Sequence, residues 1–124
     1  MERPLHVLDS IAYLEPAMAG AVVVSASHGG VSAGRFVVEL DGRPHAVFFN
    51  DAGVGKERAG IAGLAMLDAS GTIAAAYSHE SARIGDAADG LASGVLSHVN
   101  AAAAAAGLRA GETVRDAVAR LRRG

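Results

Sequence analysis

Three short apolar runs, each breaking directly into a polar turn, constrain this chain more than any other feature of its sequence. Residues 21–26 read AVVVSA and continue through Ser27, His28, Gly29 and Gly30. Residues 46–50 read AVFFN and are followed by Asp51, Gly53, Gly55 and Lys56. Residues 72–78 read TIAAAYS and are followed by His79, Glu80, Arg83 and Asp86. The first two are apolar without alternation, the pattern of a strand covered on both faces. The third is weaker, because alanine is a poor strand former.

Helical patterns separate these runs. Residues 56–69 place Ile61, Leu64, Ala65 and Leu67 on one stripe, closed by Gly71. A second helix is expected over 87–106, stopping at Gly107, with Leu91, Val95, Val99 and Ala102 on one face. A third begins near 111–113 and carries Val114, Ala117, Val118 and Leu121 to the chain end. Residues 9–19 read as a short capped helix interrupted by Pro16. Residues 32–40 admit two readings, a helix capped by Ser32 or one arm of a hairpin turning at Asp41-Gly42; the helix continues the βα alternation and is preferred. The expectation is an α/β fold: a small three-layer, Rossmann-like βαβαβ unit with a short, mostly parallel sheet and C-terminal helices, spanning residues 1–124 as one domain.

Composition fits this picture. Apolar residues make up 51% of the 124 residues and aromatics only 4%, so the core has to be built from small aliphatic side chains packed close. A net charge of −2, with no basic cluster before Arg120, Arg122 and Arg123, gives no nucleic-acid footprint. Those arginines suit the last turn of a helix. With no cysteine, thiol chemistry and disulfides are excluded. A basic-then-apolar leader and a membrane-length apolar run are both lacking, so a cytoplasmic location is the expectation.

In a parallel sheet the three polar turns lie on one edge, outside the carboxyl ends of the strands, where open α/β sheets bind ligands. That edge gathers His28, Asp51, Lys56, His79, Glu80, Arg83 and Asp86. Gly, Ser, Asn and Asp are also ordinary turn formers, which accounts for each turn taken alone but not for their coincidence. Imidazole suits proton transfer at neutral pH, so His28 and His79 are the candidate acid/base groups, with Asp51 and Glu80 orienting or polarising them. Ser27, or Ser25, paired across strands with His79 would supply a nucleophile. Lys56 and Arg83 would hold negative charge, and the backbone N–H groups of Gly29, Gly30 and Gly53 would stabilise an oxyanion. Asn50, Gly55, Ser78 and Asp86 complete the expected ligand-binding edge.

Known signatures are not met. Gly53-Val54-Gly55-Lys56 has Asn50 and Glu57 where a P-loop needs Gly and Ser or Thr, and Arg58 where a dinucleotide fingerprint needs Gly. Ser and His are adjacent at 27–28, 78–79 and 97–98, yet no Gly-x-Ser-x-Gly elbow surrounds them. His98 falls inside the expected second helix and reads as a packing or interface residue. His28, Asp51, His79 and Glu80 offer a mixed nitrogen and oxygen set for a divalent metal, without a recognised spacing. The strand running into Ser27-His28-Gly29 resembles the histidine turn of caspase-type peptidases over His28 and its flanks alone. That family attacks with a cysteine, which this chain lacks, so its activity does not carry over.

The expected function is an enzyme acting by acid/base or hydrolytic chemistry on a polar, anionic or carbonyl-bearing metabolite. The alternative is a non-catalytic anion sensor or assembly subunit. The expected partners are a small-molecule ligand and further copies of the chain, first of all in a dimer, with Leu91, Val95, His98 and Ala102 of the small-residue helix as candidates for the core or the interface.

Overall fold

The structure is a computed structural model and describes residues 2–123. Five strands form one sheet: β1 (Leu5–Leu8), β2 (Val22–His28), β3 (Ala46–Asn50), β4 (Ile73–Tyr77) and β5 (Leu96–Val99). They lie in chain order, the first four parallel and β5 antiparallel to β4. Five helices accompany them: α1 (Val31–Glu39), α2 (Gly63–Ala69), α3 (Ala87–Ser93), α4 (Ala101–Ala105) and α5 (Val114–Arg122). The fold class read from the sequence, a small α/β arrangement with a mostly parallel sheet and C-terminal helices, is the one observed.

The unbroken apolar runs have the expected cause. Along β2, β3 and β4, Val22, Val24, Ala46, Phe48, Ala75 and Tyr77 face one core, and Val23, Val47, Phe49, Ala74 and Ala76 face the other. The first core is closed by Leu108, Val114, Val118 and Leu121, the second by Ile11, Ala33, Val37, Leu64 and Leu67. Sequential parallel strands joined by right-handed crossovers put every crossover on the same face. The segments carrying Ile11, Val37 and Leu64 accordingly share one core, and the C-terminal helices cover the other side. A Rossmann-like sheet reverses its strand order and opens a crevice at the switch; this sheet has no reversal and no such crevice.

Several elements differ from expectation. β1 and β5 were not anticipated. The 87–106 segment is not one helix: α3 ends at Gly94, β5 follows, and α4 starts after Asn100. The chain turns extended at Gly94, whose carbonyl accepts the Val114 N–H and beyond which Val95 bridges Thr113; a Cβ there would run into the Gly90 carbonyl, Val114 and the Tyr77 ring. Leu91, Val95, His98 and Ala102 therefore share no helix face, and the small-residue helix invoked for self-association does not form. Residues 9–19 form two 3-10 turns, Ile11–Tyr13 and Pro16–Met18, rather than a helix. The 56–69 helix starts late, at Gly63, because Glu57 and Arg58 have left-handed backbone (φ 56° and 60°) that no α-helix accommodates. Among the described residues no helix is long and apolar enough to cross a membrane.

Two close contacts set the spacing of the layers. The Tyr77 ring lies against Gly90, and its hydroxyl donates to the Ser25 carbonyl at 2.8 Å. Burial and the charges of Asp86, Asp89 and Asp9 push this phenol up, so it remains a neutral donor. On the other face α1 and α2 approach closely at Gly34 and Gly63, and the Gly63 N–H donates to the carbonyl of Gly29, just before α1, at 2.8 Å. A Cβ on Gly63 would run into the Gly30 carbonyl. Gly63→Ala is therefore expected to cost about 1–3 kcal/mol of stability, as overpacking does. Ala119→Ser, on the exposed side of α5, should stay within about 0.5 kcal/mol in the same urea titration.

Candidate functional site

The site grows from the end of β3. Asn50 is fully buried and closes its own turn: its side-chain oxygen accepts the Ala52 N–H and its amide donates to the Ala82 carbonyl. The next residue, Asp51, is 5% exposed, and a carboxylate taken that far from water needs hydrogen-bond partners. It has four. Oδ1 accepts the N–H groups of Gly53 (2.8 Å) and His79 (3.0 Å) and lies 3.4 Å from His79 Nδ1. Oδ2 accepts the Ser97 hydroxyl at 2.7 Å. Burial opposes ionisation here, but Ser97, the two N–H groups and the neighbouring imidazole outweigh it and hold this carboxyl below the usual carboxylate range.

Ser97 then links Asp51 to a second imidazole. His98 Nδ1 lies 3.0 Å from Ser97 Oγ. Adjacent strand residues ordinarily point to opposite faces, but β5 carries a bulge: Leu96 pairs with Tyr77 and His98 with Ala76, leaving Ser97 as the extra residue. The bulge brings the two side chains together. Proton counting then fixes the tautomer. Ser97 has one hydroxyl proton, which goes to Asp51 at 2.7 Å, so His98 Nδ1 must be the donor to Ser97 Oγ. Nε2 of the neutral ring is left with its lone pair.

His98 lines a groove of about 320 Å³ between α2 and the β5–α4 edge, together with Arg58, Ile61, Leu64, Asp68 and Val99. Buried Asn100 fastens the two walls. It accepts the Ala74 and Ala103 N–H groups and donates to the Leu64 and Thr72 carbonyls, filling all four of its hydrogen-bonding positions. Arg58 reaches the groove from a contorted loop. All four non-glycine residues with left-handed backbone among those described, Ala52, Val54, Glu57 and Arg58, fall between positions 52 and 58. Such conformations cost about 1–2 kcal/mol each and persist only where the surroundings enforce them. Gly60 is one enforcer: its N–H donates to the Val54 carbonyl, and a Cβ there would strike the Asp51 carbonyl.

The residues singled out from the sequence are distributed more widely than one crevice. His79 stands beside Asp51 with half its side chain in solvent, and His28 is exposed and lines two other hollows, one beside Ile11 and Phe36 and one beside Val54 and Gly60. Serine nucleophiles do not assemble: Ser25 Oγ is buried and donates to the Phe48 carbonyl, and Ser27 Oγ accepts the Ile11 N–H. Lys56 is exposed and opens a single 3-10 turn, not a helix, while the Gly53 and Gly55 N–H groups are taken by Asp51 and the Gly53 carbonyl. The anion cradle expected there, and the Gly53 contribution to an oxyanion hole, are accordingly absent. Gly29 and Gly30 lack room for a Cβ, meeting Gly60, Phe49, His28 and Ala59, and serve the approach of α1 to α2. Ser78, Arg83 and Asp86 serve the turn after β4: Ser78 Oγ accepts the Glu80 N–H, Arg83 pairs with Asp86 at 3.8 Å, and Asp86 caps α3. Glu80 is exposed. Among the described residues no three His, Asp or Glu side chains converge on a metal position, so His28, Asp51, His79 and Glu80 do not form a ligand set.

Ser97, His98 and Arg58 were not among the expected site residues. The signal for the first two was the third Ser-His pair, in a β-branched stretch bracketed by Gly94 and Asn100 that reads equally well as a strand.

The lowered pKa of Asp51 fixes the sign of a pH effect. Because the folded group ionises below its unfolded value, it stabilises the fold above the ordinary carboxylate range, and this contribution fades as pH falls through the folded value. Asp51→Asn should cost about 1–3 kcal/mol at pH 7 and the gap to wild type should close on acidification, followed by urea unfolding at stepped pH. A pH-independent gap would assign the loss to packing. No family model, curated protein or solved structure matches this chain.

Proposed function

We propose that the chain is an enzyme that uses His98 as a general acid/base on a small metabolite bound in the groove between α2 and β5. The observation that carries this reading is the linkage Asp51–Ser97–His98, in which an ionised buried carboxylate, acting through a hydroxyl, presents Nε2 of a groove-lining imidazole as the basic atom. When Nε2 takes a proton from substrate or from an attacking water, the ring becomes a cation. The Nδ1–H remains on Ser97 and the Ser97 hydroxyl remains on Asp51, so the developing positive charge meets an aligned chain of dipoles ending in a negative charge. The same atom returns the proton to the product. Ser97 is a positioning residue here: its proton is committed to Asp51, whose lowered pKa makes it too weak a base to activate the hydroxyl as a nucleophile.

The strained loop supports the reading, since several left-handed residues in one segment are a cost that a purely structural turn avoids with glycine. A panel of small esters, amides, carbonyl compounds and hydroxy acids should contain a substrate. On it, His98→Gln should lower kcat by about 10²–10⁴-fold, the usual contribution of a placed acid/base group, with unchanged thermal stability. Ser97→Ala should lower kcat with little change in KM, and Ser97→Thr should restore much of the loss, which a merely structural role would not predict. Full turnover in His98→Gln would sink the proposal. Saturable binding without turnover of any panel member would favour the sensor reading instead.

A further inference from the structure

We infer that the ligand of this groove is a small monocarboxylate with a short hydrocarbon part, its carboxylate on Arg58; this deepens, and rests on, the reading of His98 as the base of the site. The groove holds one cationic side chain. Among the described residues the Arg58 guanidinium has no ion pair and no hydrogen bond, although it belongs to a loop whose backbone is otherwise bonded turn by turn. A planar guanidinium presents a fork of donors matched to a carboxylate. Between Arg58 and the far end the α2 wall is apolar, from Ile61, Leu64 and Ala65, with Val99 facing it beside His98 and Asn100. The walls thus ask for a charged head and an apolar tail.

The far end excludes a second charge. Asp68, in the last turn of α2, lines the groove with both oxygens fixed, Oδ2 accepting the Ala101 N–H and Oδ1 the Ala102 N–H, each at 2.9 Å. Arg58 precedes α2, so the two charges stand at opposite ends, and a dicarboxylate would drive its second anion toward Asp68. Phosphate is disfavoured for a related reason. Its usual cradle is a set of free backbone N–H groups, and those at the start of α4 are all taken, Ala101 and Ala102 by Asp68 and Ala103 by Asn100. One guanidinium without an N–H nest suits one negative charge. A cavity of about 320 Å³ is at the small end of ligand sites, in keeping with a metabolite of a few carbons.

The test is titration of the full chain with butyrate, succinate, inorganic phosphate and 1-butanol, followed by amide chemical shifts. Arg58 is changed to Asn, because asparagine tolerates left-handed backbone, so Arg58→Asn removes the charge with the loop kept. Butyrate should shift the amides of residues 58–68 and 97–101 saturably, and Arg58→Asn should weaken it about tenfold, the scale of a charge-assisted pair. His98→Gln should leave butyrate affinity within about threefold, since the base does not carry the anion. Succinate and phosphate should bind more weakly than butyrate. Butyrate binding no better than butanol, or unchanged by Arg58→Asn, overturns the carboxylate assignment. Either result is independent of the kcat loss in His98→Gln, so the substrate class and the catalytic reading fail separately. Should Arg58→Asn perturb the whole spectrum, Arg58→Lys decides: retained but weaker butyrate binding supports the pairing, and unchanged binding overturns it.

Discussion

A carboxylate enclosed by apolar strands is tolerable only if its oxygens are supplied with donors, and Asp51 draws those donors from three separate pieces of chain. Gly53 comes from its own loop, the His79 N–H from the segment after β4, and the Ser97 hydroxyl from the bulge of β5. Meeting this one requirement thus fixes the relative positions of the β3 end, the β4 end and the middle of the edge strand. Removing the bulge would restore regular alternation to β5, send Ser97 and His98 to opposite faces, and leave one Asp51 oxygen without its partner. The irregularity of β5 and the charge of Asp51 are two sides of the same arrangement.

The loop after Asp51 shows the same dependence in its backbone. Val54 and Arg58 have no intrinsic preference for positive φ, and a β-branched residue there is a conformational outlier. They are held by a net of short hydrogen bonds: Val54 N–H to the Asp51 carbonyl, Gly60 N–H to the Val54 carbonyl, Gly63 N–H to the Gly29 carbonyl. Each closes a tight backbone approach that a side chain on Gly60 or Gly63 would prevent. The glycines that look, in sequence, like a phosphate loop are therefore packing and turn glycines, and the loop's product is the placement of Arg58 rather than a nest of free amides.

How much of this was legible follows from which signals are local. The runs at 21–26, 46–50 and 72–78 announce buried strands because both faces are apolar, and that is a property of each run alone. α1 was legible through the continuity of the βα alternation. β5 was not, because residues 87–106 are rich in alanine and the pattern of small residues is compatible with a continuous helix; what breaks it is the pairing of Val95 with Thr113 and of Leu96 and His98 with β4, contacts made between distant parts of the chain. The early start assigned to α2 fails for a similar reason, since left-handed Glu57 and Arg58 are imposed by tertiary contacts that override a good helical stripe. For the site, Asp51 and His79 were legible as polar residues at strand ends. Ser97 and His98 were not, because their partnership requires the bulge, and the bulge requires knowing that β5 exists.

The missing switch point explains where an opening can exist at all. In a sheet whose strands follow one another in order, successive crossovers pack side by side on one face, and α1 is flanked by the Ile11–Tyr13 turn on one side and α2 on the other. α2 has no such neighbour beyond it, because the next strand returns antiparallel from the opposite layer and brings no crossover helix to that face. Its outer flank would stand over bare sheet edge. β5 and α4 fill part of that space, and Asn100 clamps them to α2 through the Leu64 and Thr72 carbonyls, but the remainder is the groove. The reversal of β5 thus does for this sheet what a reversal of strand order does for a doubly wound one. It leaves a concave place beside the strand ends, and it delivers His98, on an edge strand bent by its bulge, to the wall of that place.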